Sequence, residues 1–209
     1  MSESIVWYFA DPMCSWCWGF SPVVQRLKEN YGTALKFALV LGGLRPYTRE
    51  PIDERLREEI LHHWQEVHKM TGQEFSFDGA LPHGFVYDTE PASRAVVAVG
   101  ELSPAVTFDY FKAVQQAFYV QQKDVTQEAV LLGLAKTFAV DEQRFAQVFQ
   151  ADHIKQKTQA HFHKSRQFGV RGFPSMVLQT QQQYYLLNNG YRPYEQLQQE
   201  LDACLAHSR

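Results

Sequence analysis

Two of the chain's three cysteines stand at positions 14 and 17, inside the run WYFADPMCSWCWGF from Trp7 to Phe20. The residues around them restrict the local fold. Ile5 to Phe9 is short, β-branched and aromatic, which is the composition of a buried strand. From Cys14 the pattern turns helical. Cys17, Phe20, Val24 and Leu27 recur at three- and four-residue spacing, and Gly32 is a suitable stop. Pro22 lies inside this helix and has no N–H to donate, so it is expected to kink or divide it. Ala34 to Leu41 reads as the next strand. Strand, helix and strand in that order predict a right-handed βαβ unit with parallel strands.

This context gives the two sulfurs a chemistry. Helix N-termini carry unpaired N–H groups and a partial positive charge, which stabilise a thiolate. A stabilised thiolate is a nucleophile near neutral pH. Cys17 falls on the same face, within reach of a mixed disulfide formed at Cys14, so two-step thiol–disulfide exchange is possible. Cys14 is expected to be the more exposed of the two and Cys17 the more buried. Two rival readings stand beside this one, a metal site and an inert pair. Zinc wants four ligands and there is no second CxxC. His161 and His163 are two apart on a predicted helix and point about 200° apart, so they do not converge. No metal is therefore expected. Cys204, three residues after Leu201 on a closing helix, reads as a small core hydrophobe.

Composition removes other classes. The chain has 209 residues, 45% hydrophobic and 14% aromatic, enough for one good core or for a domain with a large insertion. The formal net charge is −3 and no basic block stands out, so no nucleic-acid partner is expected. No apolar run is long enough to span a bilayer, and no membrane partner is expected. MSESIVWYFADP lacks a positive n-region and a long apolar stretch, so a cytoplasmic location is expected. Thiols are kept reduced there, and a CxxC is more often catalytic or metal-binding than a structural disulfide.

Beyond Gly42-Gly43 the chain reads as mostly helical. Helices are predicted over 51–70, with Pro51 in the first turn, and over 90–102, 103–122, 126–138, 141–149 and 152–168. Residues 73–88 read as a loop. The β pattern returns at 175–179 and 184–187, joined by the polar QTQQQ as a hairpin connection. Asn188-Asn189-Gly190 reads as a turn, and 193–207 as a last helix. A two-stranded parallel unit cannot bury both of its faces. The economical solution is one sheet assembled from both ends of the chain, with the helical block inserted between them.

A second signal precedes the returning strand, GVRGFPSMV at 169–177. Proline at a strand entrance is confined to the first position or an edge, and Xaa-Pro bonds are the ones that adopt cis. An ordinary trans proline would serve a strand start. Together with the CxxC, a cis Phe173–Pro174 bond is expected, which would expose the backbone of Phe173 to a substrate segment.

These residues carry a family resemblance. Asp11-Pro12-Met13-Cys14-Ser15-Trp16-Cys17-Trp18-Gly19 and Gly169-Val170-Arg171-Gly172-Phe173-Pro174 resemble the DsbA-like branch of the thioredoxin superfamily. The closer likeness is to its FrnE-like proteins, related to the 2-hydroxychromene-2-carboxylate isomerase and kappa-class glutathione transferase group. Thr89 to Ala95 is weakly similar to a helix start in that group. The resemblance implies an α/β thioredoxin fold with a large inserted all-helical domain. Residues 1–45 and 166–209 would form the thioredoxin part, and 46–165 the insertion. It implies Cys14 as attacking thiolate, Cys17 as resolving thiol and a cis Pro174 facing them, with substrate lying against Phe173 and Pro174.

Three departures bear on function. Ser15 replaces the proline common after the first cysteine of FrnE-like proteins. Trp16 stands where DsbA has a thiolate-stabilising histidine, so a reducing or isomerising character is expected over a strongly oxidising one. Phe173 is bulky before the proline and is expected to narrow the groove. Trp16, Trp18 and Phe20 read as groove wall and core. Asp11 has two readings, a proton relay to Cys17 or an Asp-Pro turn that ends the strand. Arg171 reads as solvent-facing, with contact to an anionic partner such as glutathione as the alternative.

The function expected is thiol–disulfide exchange on protein or small-molecule disulfides. No bound cofactor is expected, and glutathione or another cellular thiol is the candidate co-substrate. A glutathione-dependent isomerase or transferase using Ser15, and a non-catalytic peptide or small-molecule binding module, are the alternatives.

Overall fold

A computed structural model of the chain describes residues 4–181 and 183–207. Its sheet has four strands, β1 (Ile5–Ala10), β2 (Lys36–Leu41), β3 (Ser175–Gln179) and β4 (Tyr184–Asn189), in the order β2-β1-β3-β4. β1 and β2 are parallel, and β1/β3 and β3/β4 are antiparallel. α1 (Ser15–Tyr31) makes the crossover between β1 and β2. α2 (Glu54–Thr71), α3 (Glu90–Leu102), α4 (Thr107–Tyr119), α5 (Glu128–Lys136), α6 (Glu142–Gln150) and α7 (Asp152–Gln167) separate β2 from β3, and α8 (Tyr194–His207) follows β4. This is the thioredoxin arrangement with a helical insertion.

Period-two alternation assigns the sheet's faces. Val6, Tyr8, Ala10, Met176 and Leu178 enter the main core with Phe20, Val24 and Leu27 of α1. Phe9, Val40 and Val177 form a smaller apolar layer on the opposite face, flanked by Trp7, Phe168 and Val170. The Phe9–Ser175 pairing then sets the chain leaving β1 for Cys14 beside the residues that lead into β3.

α1 runs through Pro22 as one continuous helix, so the proline does not divide it. The missing N–H at Pro22 removes the usual donor to the Trp18 carbonyl. Gln73, in the loop after α2, replaces it. Its Nε2 donates to the Trp18 carbonyl at 2.9 Å and to Ser21 Oγ at 2.9 Å. Gly19 lets α2 approach at this point, because a Cβ there would stand 2.6 Å from Val67 Cγ1. The insertion is thus tied to the one helix carrying the cysteines.

Several boundaries differ from expectation, each for a local reason. α2 starts at Glu54, and Pro51 lies outside its first turn, because Asp53 caps the helix by accepting from the Leu56 N–H at 2.8 Å. The stretch 103–122 divides into a 3₁₀ turn at Pro104–Val106 and α4. Ala34 and Leu35 precede β2, since their N–H groups bond back to the Tyr31 carbonyl. Asn188 and Asn189 belong to β4 and do not form a turn. Asn188 opposes Met176 and Asn189 opposes Ser175, and only Gly190 takes a positive φ, 95°. The QTQQQ connection includes residue 182, which lies outside the described residues.

Gln73→Leu should lower stability by about 1–3 kcal/mol, the cost of an unpaired buried acceptor. In a Pro22→Ala background, where the helix regains its own donor, the cost should shrink. Urea unfolding of the double-mutant cycle measures this, and equal costs in both backgrounds would contradict the pairing.

Candidate active site

Cys14 is the N-cap of α1, with φ −95° and ψ 117°. Its carbonyl starts the helix by accepting from the N–H groups of Cys17 (3.0 Å) and Trp18 (3.1 Å). Its sulfur therefore stands at the positive end of a 17-residue helix. Cys14 is 7% exposed and Cys17 0%, so the order of exposure is the expected one, although both are buried. They lie 3.6 Å apart as free thiols. Burial pushes the Cys17 thiol well above its ordinary pKa, and the neighbouring Cys14 adds to the rise.

The second sequence signal meets the first here. Cys14 Sγ lies 3.7 Å from the Phe173 carbonyl oxygen, across 159 residues of chain, and the Phe173–Pro174 bond is cis. The Pro174 carbonyl is already held by the Gly190 N–H at 2.8 Å and by Asn188 Nδ2 at 3.3 Å. The Phe173 ring packs onto Gly42 at the end of β2, where a Cβ would collide with it. Trp16 is half-buried beside Tyr191, with ring centroids 6.2 Å apart. Trp18 turns inward, stacks on Tyr119 at 6.3 Å and donates from Nε1 to the Glu74 carbonyl. Arg171 is exposed, and Cys204 sits in the core of α8 with Leu197 and Leu201. Among the described residues no His, Cys, Asp and Glu cluster could hold a metal.

Asp11 is fully buried under the turn that leads to Cys14. Its Oδ1 accepts from the Met13 N–H at 2.9 Å and its Oδ2 from the Leu44 N–H at 2.8 Å. Both oxygens hold backbone, which ties the cysteine turn to the end of β2. Burial raises the carboxyl to about 6, against those hydrogen bonds, which pull it down. His161, on α7, accepts at Nδ1 from the Leu41 N–H at 3.2 Å and is lowered to about 4, first by burial.

Three tyrosines near the dithiol escaped the sequence reading. Tyr8 comes from β1, and its buried hydroxyl neighbours Cys17. Tyr87 donates to the Met13 carbonyl at 2.5 Å, and Tyr119 lies beside it. Burial raises all three hydroxyls above their ordinary pKa, so they stay protonated. Alternation along β1 was a signal that Tyr8 shares a face with Val6. Tyr87 and Tyr119 lie in the insertion, where nothing local announces a site.

Asp11 takes its proton more readily folded than unfolded, so it adds stability as pH falls from about 6 to about 4, and that gain is lost as pH rises again. His161 acts oppositely. The unfolded chain binds that proton first, so stability falls as pH drops below about 6.5. Asp11→Asn should leave the His161 effect unopposed. Relative to wild type, its stability should fall about 3 kcal/mol further between pH 7 and pH 4. Urea unfolding at both pH values checks this, and parallel pH profiles would contradict it.

Comparison with known proteins agrees with this geometry. A family model, the DSBA-like thioredoxin domain, matches residues 5–202. A Nitrosomonas europaea structure, provisionally described as a protein disulfide isomerase, is 46% identical with a TM-score of 0.95, covering 100% of both chains. The cytosolic disulfide reductase DsbM from Pseudomonas aeruginosa is 28% identical with a TM-score of 0.81, over 97% of this chain and 99% of that one. DsbM with GSH is 27% identical, with a TM-score of 0.79. The ClpXP adapter protein SpxH of Bacillus licheniformis is 22% identical over 173 residues, 82% of this chain. The chain spans about half the length of the curated relatives it matches, 56% in that case. Among the described residues no helix is long and apolar enough to cross a membrane. The chain belongs to the DSBA-like thioredoxin-domain family.

Proposed function

We propose that the protein is a dithiol reductase or isomerase of disulfides, working through Cys14 and Cys17. The observation that carries this is the juxtaposition of Cys14 Sγ with Cys17, 3.6 Å away, and with the Phe173 carbonyl, 3.7 Å away, at a helix N-terminus. The Cys14 thiolate attacks one sulfur of a substrate disulfide. A Cys14–substrate disulfide forms, and the other substrate sulfur leaves as a thiol. Cys17, kept protonated by burial until then, loses its proton and attacks Cys14 Sγ. The second substrate thiol leaves, and the Cys14–Cys17 disulfide remains. Two electrons pass from enzyme to substrate. Two molecules of a cellular thiol, for which glutathione is the candidate, return them.

Phe173 and Pro174 offer the substrate backbone a ledge, and Trp16 borders it. Asp11 positions the turn that carries Cys14. The uncharged Trp16 between the cysteines favours reduction or isomerisation over strong oxidation. The likeness to a cytosolic disulfide reductase supports that direction and a thiol-rich cytoplasmic setting. A second reading rests on Ser15, the first residue of α1, which could activate glutathione for isomerase or transferase chemistry without any cysteine.

Reduction of insulin by glutathione separates the readings. Cys14→Ala should lower the rate by at least about a thousandfold. Cys17→Ala should accumulate a mixed disulfide at Cys14, seen as added substrate mass. Full activity in Cys14→Ala would overturn the dithiol mechanism in favour of Ser15.

A further inference from the structure

Resolution by Cys17 requires a thiolate where a charge is costly. Cys17 is 0% exposed, and burial is the main opposition to a charge on it. Its titratable neighbours add to that opposition. They are Cys14, at the N-cap of α1, and Asp11, in the turn after β1. The Asp11 carboxylate is occupied elsewhere, since its two oxygens accept from the Met13 and Leu44 N–H groups. The charge on Cys17 therefore needs donors of another kind.

Two stand at the sulfur. One is the Asp11 backbone N–H, which bonds to Cys17. The other is the Tyr8 hydroxyl, which lies beside Cys17. Tyr8 is in the middle of β1, with its side chain in the core that α1 covers. Its ring is fixed by Phe20 of α1, at 6.0 Å between centroids, and by Phe111 of α4, at 6.3 Å and nearly perpendicular. The residue is 1% exposed, and its hydroxyl has no nitrogen or oxygen partner among the described residues. Buried hydroxyls are almost always paired. A neutral thiol is only a weak acceptor. The hydroxyl is thus poorly satisfied beside the Cys17 thiol, and it gains a strong acceptor when that sulfur ionises.

Resting on the dithiol reading above, we propose that Tyr8 is a catalytic residue of the resolving step, its hydroxyl donating a hydrogen bond to Cys17 Sγ as that sulfur becomes a thiolate. With the Asp11 N–H it makes a two-donor seat for the charge. In this step Cys17 loses its proton, and its sulfur bonds to Cys14 Sγ. The bond from Cys14 to the substrate sulfur breaks. The substrate sulfur leaves with that electron pair and takes up a proton, as a thiol. Tyr8 keeps its own proton throughout. A donor fixed in advance, and bonded strongly only to the charged form, stabilises the transition state more than the ground state. The first attack, by Cys14, makes no use of it.

The test is a stopped-flow single turnover of Cys204→Ala protein with one equivalent of dithiobis(nitrobenzoate). One coloured nitrothiolate is freed when Cys14 attacks, and a second when Cys17 resolves. With Tyr8→Phe added, the first release should keep its rate. The second should slow by about tenfold or more at neutral pH, the scale of one hydrogen bond to a charged group. The pH at which the second release accelerates should also move upward, which a packing role alone would not produce. Should Tyr8→Phe fail to fold, Tyr8→Leu serves, with the same expectation for the two releases. Equal slowing of both releases, or a second release unchanged in rate and pH dependence, would overturn the proposal. A single release from protein with Tyr8 intact would overturn the dithiol reading, and the role of Tyr8 with it.

Discussion

The antiparallel pairing of β1 with β3 joins two ends of the chain that contain all of the exchange geometry. Phe9 opposite Ser175 fixes the register. A slip of one residue would turn every side chain of β3 to the other face of the sheet. It would also carry the Phe173 carbonyl away from Cys14. The site is therefore a consequence of sheet register, and the burial of Met176 and Leu178 on one face and Val177 on the other enforces it. A thiol and a carbonyl 159 residues apart meet because hydrophobic alternation leaves the strands one way to pair.

The helical insertion does more than cover the sheet. It supplies the donor that Pro22 withholds, through Gln73, and it anchors Trp18 through the Glu74 carbonyl. Tyr87 grips the Met13 carbonyl one residue before the first cysteine. Asp11 ties the same turn to Leu44, just where the chain leaves the sheet for the insertion. The dithiol is thus held from below by residues of the inserted helices and loops, and from beside by Phe173 and Pro174. Such support fixes geometry within the narrow tolerances that nucleophilic exchange needs. The charge of Asp11 is costly where it lies, and its two backbone hydrogen bonds offset part of that cost.

The sequence made the βαβ start, the cysteine pair and the proline signal legible, because each rests on local chemistry. Strand composition, helical spacing and a thiol at a helix start are all readable within about twenty residues. Helix ends were less legible. Pro51 looked like a first-turn proline, but Asp53 is the better cap and prevailed. Asn188 and Asn189 looked like turn residues, but pairing with β3 overrode their local preference. Pro22 was expected to kink or divide α1, and the donor it withholds from the Trp18 carbonyl comes from Gln73, 55 residues away in sequence. The tyrosines around the dithiol were invisible for the same reason. Their significance arises from where the fold places them.

The reduction potential of the Cys14–Cys17 couple, measured on Cys204→Ala protein equilibrated in glutathione buffers, tests the central claim most directly. The account predicts a reversible two-electron couple nearer to thioredoxin's ~−270 mV than to the ~−120 mV of a strong oxidant. If no intramolecular disulfide forms at any poise, the two sulfurs do not act as a pair, and the exchange mechanism is wrong.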